Sequence, residues 1–248
     1  MNSSNPLLHL AANVTRFYLP YELGRYFLTA GLAAALVWLL KRTSLRSRQL
    51  QPRQPTPKDR WREITSSLRT ISVYLAVAIL LAWAMHFGWL ARDGAAHSLG
   101  YILFMLGLMI LGHDAYFYWT HRAMHTRRLF RAFHRHHHRS ITPAPWTAYS
   151  FATPEAIVNA LYFPLWLALV PTPHVVTFSF LGVQIVRNVM AHAGLELHPR
   201  WWLSTPLISW ISTTDHLTGI SGFRPVAWSS AEERFIPSGD VIQVEDLD

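Results

Sequence analysis

Two short stretches carry most of the chemistry available to this chain. HDAYFYWTHRAMH runs from His113 to His125, and HRHHHR begins at His134. On a continuous helix His121 and His125 stand one turn apart on one face, about 6 Å between side-chain bases, so that two imidazoles can grip one metal ion. His113 lies eight residues before His121, about 12 Å along a helix axis. One ion cannot meet both on a straight helix. Either the helix breaks near Gly112, or two ions are bound in sequence along the same face. His134, His137 and His138 follow at i, i+3 and i+4, a single helix face from which His136 points away, and His192 follows Asn188 at i+4 in NVMAHAG. Imidazole donors suit iron, zinc, copper or nickel rather than magnesium or calcium. Asp114 is costly as an unpaired charge beside a bilayer. It is expected to accept from the N–H of a ligating imidazole or to pair with Arg122.

The rest of the chain must hold these side chains, and its composition says how. Of 248 residues 51% are hydrophobic and only 15% charged, which points to a membrane protein. Ile71 to Leu90 is the clearest apolar span; Tyr26 to Leu40 and Leu99 to Gly112 are shorter. Ala156 to Val170 and Val175 to Val186 flank the sequence PTP and read as a helical hairpin. The expected fold is an all-α integral membrane protein of about four to five transmembrane or re-entrant helices. No basic n-region precedes a small-residue cleavage site, so the first span is expected to serve as its own address. Cysteine is absent, which excludes disulfides and thiolate metal sites. A metal must therefore be held by nitrogen and oxygen.

The net charge is +8, but its distribution argues against nucleic acid as a partner. Lys41, Arg42, Arg46, Arg48, Arg53, Lys58, Arg60 and Arg62 fall between the first and second spans, and Arg122 to Arg139 follow the third. The loop between the second and third spans offers Arg92 beside Asp93. Alternation of basic and nearly neutral loops is the positive-inside pattern. It puts the N-terminus outside and the histidines on the cytoplasmic side, with the hairpin returning His192 to the others. QPRQPTPK, Gln51 to Lys58, is a proline-broken linker. Trp201, Trp202 and Trp210 suggest a segment lying at the membrane interface. A lone His beside an apolar helix is usually a satisfied interfacial residue, and His9, His86, His97, His174 and His198 read that way. Seven histidines between His113 and His138 at helical spacings do not.

The order H-x7-H-x3-H, H-x-x-H-H and N-x-x-x-H-x-G resembles the fatty acid hydroxylase/sterol desaturase superfamily of membrane di-iron oxygenases. The matching residues are His113, His121 and His125, then His134, His137 and His138, then Asn188, His192 and Gly194. The resemblance implies two iron ions held by these histidines and His216, with Asn188 and Asp114 in supporting catalytic roles. It further implies hydroxylation or desaturation of a fatty acyl, sterol or isoprenoid lipid drawn from the bilayer. Neither haem nor dinucleotide motifs are present, so the electrons are expected from a separate donor protein.

The resemblance covers about His113 to His216 and then departs. STTDH, Ser212 to His216, resembles the approach to a further H-x-x-H-H box, yet Gly219 and Ile220 occupy the places of its paired histidines. The expected organisation is 1–98 as membrane spans and basic linker, 99–216 as the histidine-box domain, and 217–248 as an atypical tail that is not the ancestral C-terminus. Abrupt departure after intact boxes is what a shifted reading frame or misplaced segment end produces, so another frame of the nucleotide sequence is expected to encode the missing box. Two other classes stand beside the oxygenase. A degenerate, non-catalytic relative would keep a partial metal site. A zinc-dependent membrane hydrolase would need a carboxylate base, for which Glu155 and Glu196 are the nearby glutamates.

Overall fold

Charges set inside apolar helices decide how this chain packs. The computed structural model describes residues 5–49, 53–90 and 93–195. Helix α1, Pro6–Leu40, starts with proline in its first turn and with the Asn5 side chain accepting from Leu7 N–H at 3.0 Å. It begins well before the apolar stretch at Tyr26, because Glu22 and Arg25 interrupt hydropathy without interrupting the helix. Both are buried. Arg25 grips the Glu22 carboxylate and donates to the Tyr149 hydroxyl at 2.9 Å and to the Leu181 carbonyl. Paired so, the two charges tie α1 to the chain's C-terminal half.

A 3-10 turn at Ser44–Arg48 leads toward α2, Pro57–His86, whose start is fixed by a capping box between Thr56 and Asp59. Helix α3, Leu99–Met124, is capped by Ser98. Short helices α4, Arg127–Phe133, and α5, Arg135–His138, precede a 3-10 turn at Pro145–Tyr149. Helices α6, Thr153–Leu169, and α7, His174–Ala191, follow one another across a short link as the expected hairpin does, but each packs on α3 more than on the other. The described residues contain no strand beyond two isolated bridges. Helices α1, α2, α3 and α7 are long and apolar enough to cross a membrane, whereas α6 has 17 residues. The protein is an all-α integral membrane protein.

Its polarity is inverted as a lipid solvent requires. Leu28, Leu32, Trp38, Leu80, Phe104 and Leu111 are exposed, while Glu63, Ser66, Ser67 and Thr70 are buried. Small residues let the helices approach: Ala30 and Ala33 on α1 meet Ile71, Ala148, Ala156 and Ile185 in one cluster. Gly112 serves the same end. A Cβ there would stand 2.9 Å from a Trp166 ring carbon and 3.0 Å from the Tyr162 hydroxyl. The glycine therefore marks the close crossing of α3 and α6, and the expected alternative of a break near Gly112 is corrected: α3 runs unbroken through it. The second histidine helix is corrected too. The chain bends at His134, with φ −120°, so that His134 separates α4 from α5 and does not share one continuous helix with His137 and His138.

The two ends of the bundle are chemically distinct. At one end Gln49 bridges to Leu195, which brings the basic linker after α1 beside the end of α7. At the other, Asp93 bridges to Pro173. Histidines and basic loops thus share an end, as the charge pattern predicts. Because the chain has no cysteine, single-cysteine variants test this directly. Arg53→Cys and Arg139→Cys should react with an impermeant maleimide from one face of sealed vesicles, and Gly94→Cys from the other. Labelling of Gly94→Cys and Arg139→Cys from the same face would contradict the arrangement.

Candidate metal centre

Three helix ends and one bend deliver the imidazoles. His121 lies in the last turn of α3 and His125 caps it, with their Nε2 atoms 3.2 Å apart. The bend at His134 swings a third ring inward. One ligand atom from each of His121, His125 and His134 lies within 4.8 Å of the others, and all three residues are buried. The ring of His138 joins them, 4.6 Å from His134 and 5.0 Å from His125. A second grouping sits beside the first: Nε2 of His137 and Nε2 of His192 stand 3.3 Å apart, and the His137 ring lies 5.4 Å from that of His134.

Hydrogen bonds on the far side of two rings fix which nitrogen faces the centre. Nδ1–H of His137 donates to the Ser150 carbonyl at 3.1 Å, and Nδ1–H of His192 donates to the Asn188 carbonyl at 2.7 Å. A carbonyl can only accept, so in both neutral rings Nε2 carries the lone pair. The two lone pairs face one another at 3.3 Å, as two donors to one cation would. His134 is backed by Glu155: its Nδ1 lies 2.7 Å from Oε1 of that side chain, which is 1% exposed at the start of α6 and whose carboxyl group burial pushes well above the usual range. Backing by carboxylates and carbonyls is how metal-binding imidazoles are oriented and made more basic. Burial holds the His125 imidazole down at about 4 and, with its histidine neighbours, that of His134 well below the usual range. Both rings are therefore neutral at physiological pH.

The residues present fit a metal ion. Nitrogens bound to one ion at about 2.1 Å stand about 3.0 to 3.4 Å apart for octahedral to tetrahedral angles. The two observed Nε2 pairs, 3.2 and 3.3 Å, fall in that interval. An all-imidazole set without thiolate suits iron, zinc, copper or nickel.

The other sequence-predicted residues divide. His113 faces the same cavity, but its ring meets Phe117, Tyr162 and Phe180 rather than the clustered imidazoles. Asp114 pairs with Arg187 through two bonds of 2.8 and 3.0 Å, while Arg122 lies by Tyr118 and Trp119, so the expected Asp114–Arg122 pair is corrected. Helix α7 passes Asp114, and Arg122 points to the outer face. Asp114 also approaches His113 Nδ1, at 3.5 Å. Asn188 donates to the Ala148 carbonyl at 2.6 Å, bracing the turn that supplies Ser150, while its own carbonyl orients His192. Gly194, at φ +67° and with Pro143 O 2.9 Å from where a Cβ would stand, lets the chain turn off directly after His192. His136 instead meets Ser66 at 2.8 Å, pointing away as expected. His216, Gly219, Ile220 and the interfacial tryptophans lie outside the described residues.

Residues 106–218 match the fatty acid hydroxylase family model. Over that stretch the chain is similar to a fatty acid hydroxylase domain. It is 31% identical over 126 residues to a very-long-chain aldehyde decarbonylase of Oryza sativa subsp. indica, covering 48% of this chain and 20% of that one. To a Delta(7)-sterol 5(6)-desaturase of Gibberella zeae it is 30% identical over 95 residues, 38% of this chain and 29% of the relative. To a Delta(7)-sterol 5(6)-desaturase of Schizosaccharomyces pombe it is 25% identical over 137 residues, 53% and 45% respectively. The chain thus spans less than half the length of each of these relatives. No solved structure gives a significant match.

Sequence reasoning weighed Glu155 only as a hydrolytic base and missed Arg187 as a partner for Asp114. A signal for both was present. Glu155 is the sole acidic residue between Asp114 and Glu196, and Arg187 the sole Lys or Arg between Arg139 and Arg200. A solitary charge in an apolar hairpin must find a partner. Metal analysis of the purified chain tests the geometry. His121→Ala and His134→Ala should each lose most bound metal, and Glu155→Gln should weaken metal affinity by about ten- to a hundredfold. His136→Ala and His97→Ala should retain it. Equal metal in all five variants would rule out this cluster.

Proposed function

We propose that this chain is an iron- and dioxygen-dependent oxidoreductase that hydroxylates or desaturates a membrane lipid. The observation that carries the reading is the convergence of His121, His125, His134, His137, His138 and His192 beside an apolar cavity between membrane helices. The family match and the relatives' names, sterol desaturase and aldehyde decarbonylase, support a lipid-directed oxidation. His121, His125, His134 and His138 would hold one iron and His137 and His192 would serve a second, the resemblance adding His113 and His216. Iron bound there would supply activation of dioxygen and attack on an unactivated C–H bond.

The protein's own part is positional. The Ser150 and Asn188 carbonyls keep His137 and His192 in the tautomer whose lone pair faces the centre, and Glu155 holds the ring of His134 in place. Aliphatic and aromatic side chains of the cavity wall receive the lipid and exclude water from the reacting carbon. Hydroxylation or desaturation by dioxygen consumes two electrons beyond those the lipid C–H bonds provide. A separate donor protein would deliver them at the histidine end, whose basic loops support a cytoplasmic placement by the positive-inside pattern. In this reading 99–216 is the working domain and 1–98 its membrane support.

One observation favours a second reading. The family match ends at 218, beside the Gly219 and Ile220 that stand where paired histidines belong. A chain short of two ligands would be a non-catalytic relative with a partial metal site. Expression in a host that lacks a relative decides between them. The oxygenase should bind about two irons per chain, and host lipids should gain one oxygen atom or lose two hydrogens only when dioxygen is supplied. Iron-loaded chain with an unchanged lipid profile would support the degenerate relative.

A further inference from the structure

The cavity that meets the histidines has a volume of about 520 Å³, within the usual range of small-molecule sites. Much of its wall is apolar, including Val77, Ala78, Leu81, Phe117, Phe163 and Leu181. Two carboxamides interrupt that wall, Asn159 on α6 and Gln184 on α7. Oδ1 of Asn159 and Nε2 of Gln184 are shut off from solvent, and neither finds a hydrogen-bond partner among the described residues. In a low-dielectric interior an unmatched donor or acceptor is costly. Each leaves hydrogen-bonding capacity unused beside the cavity.

Helix rise sets the two residues at similar heights. Helices α6 and α7 run antiparallel, with the Tyr162 and Phe180 rings 5.8 Å apart. Asn159 is three residues from Tyr162 and Gln184 four residues from Phe180, both toward the histidine end, so each rises about 4.5 to 6 Å from that contact. The orientation of Gln184 is fixed by Arg187, which donates to its Oε1 at 3.4 Å and leaves Nε2 as the outward donor. The nearby cations are already matched: Arg187 by Asp114, Arg25 by Glu22.

We propose that Asn159 and Gln184 form a hydroxyl-binding subsite. A hydroxyl can donate to Asn159 Oδ1 and accept from Gln184 Nε2 at once; a carbonyl satisfies only the second, and a hydrocarbon neither. A carboxylate would bring a charge to a wall whose cations are neutralised. The ligand class is thus a neutral, mostly apolar alcohol. Asn159 lies one turn from Glu155 and Gln184 two turns from His192, so the hydroxyl binds roughly 6 to 12 Å below the imidazoles. That span separates the anchor from the carbon presented to them. The assignment rests on the lipid-oxidation reading for its purpose, but on the cavity alone for its chemistry.

The test is competitive retention by the full-length chain in detergent. Purified protein is equilibrated with equimolar cholesterol and 5α-cholestane, or with equimolar 1-octadecanol and octadecane, and bound lipid is measured by mass spectrometry. The alcohol of at least one pair should be retained about tenfold over its hydrocarbon, relative to empty micelles, since a site built for a hydroxyl rejects the analogue lacking it. The pair that shows enrichment identifies a sterol or a linear alcohol as the source. Asn159→Leu and Gln184→Leu should each abolish the preference while keeping hydrocarbon retention and metal content, which report intact folding. Enrichment no greater than that of micelles, with water alone serving the amides, overturns the subsite, as does a preference that both variants keep. Metal content is read on the same samples. A metal-free chain that still prefers the alcohol would defeat the oxygenase reading and leave the subsite standing.

Discussion

The hydrogen bond between His134 Nδ1 and Glu155 Oε1, 2.7 Å long and wholly buried, is the contact on which the rest of the centre depends. It joins the bend between α4 and α5 to the first turn of α6. Without an acceptor, a buried imidazole N–H would be left unsatisfied and the bend would have no reason to turn inward. With it, His134 meets His121 and His125 from the end of α3. His137 and His138, one turn on, are carried in with it. The neighbouring carbonyls of Ser150 and Asn188 repeat the device for His137 and His192. One physical demand, that each buried N–H have an acceptor, thereby aims several lone pairs at a common volume.

The same demand shapes the helices around the centre. Glu22 with Arg25 and Asp114 with Arg187 are ion pairs made within an apolar bundle, and each spans elements far apart in sequence or anchors one to another. Removing one partner of such a pair strands a charge where desolvation is expensive. These pairs therefore specify the arrangement of α1, α3 and α7 more sharply than packing of leucines against lipid could. Small residues at Gly112, Ala156 and Ala160 then permit the close crossings.

Much of this was legible in the residues alone, and the limits have physical causes. Helical spacing paired His121 with His125 and turned His136 away, because i, i+4 geometry is local. Apolar length disclosed the membrane helices for the same reason. It understated α1, since hydropathy averages over Glu22 and Arg25 without knowing that they neutralise each other. The bend at His134 was invisible because its cause, Glu155, lies 21 residues away. A break at Gly112 was one of two readings open from sequence, and the residue proved to be a contact surface, a distinction that only the approach of Trp166 and Tyr162 reveals. Of the two partners expected for Asp114, Arg122 fails because it is near in sequence while Arg187 is near in space.

The central claim is that these imidazoles surround iron through their nitrogens. X-ray absorption at the iron edge, on the chain purified without added chelator, measures that most directly. The account predicts a shell of nitrogen neighbours at about 2.1 Å with the outer-shell scattering of several imidazole rings per iron. Iron-free protein after expression in iron-replete medium, or an oxygen-only shell without imidazole scattering, would contradict it.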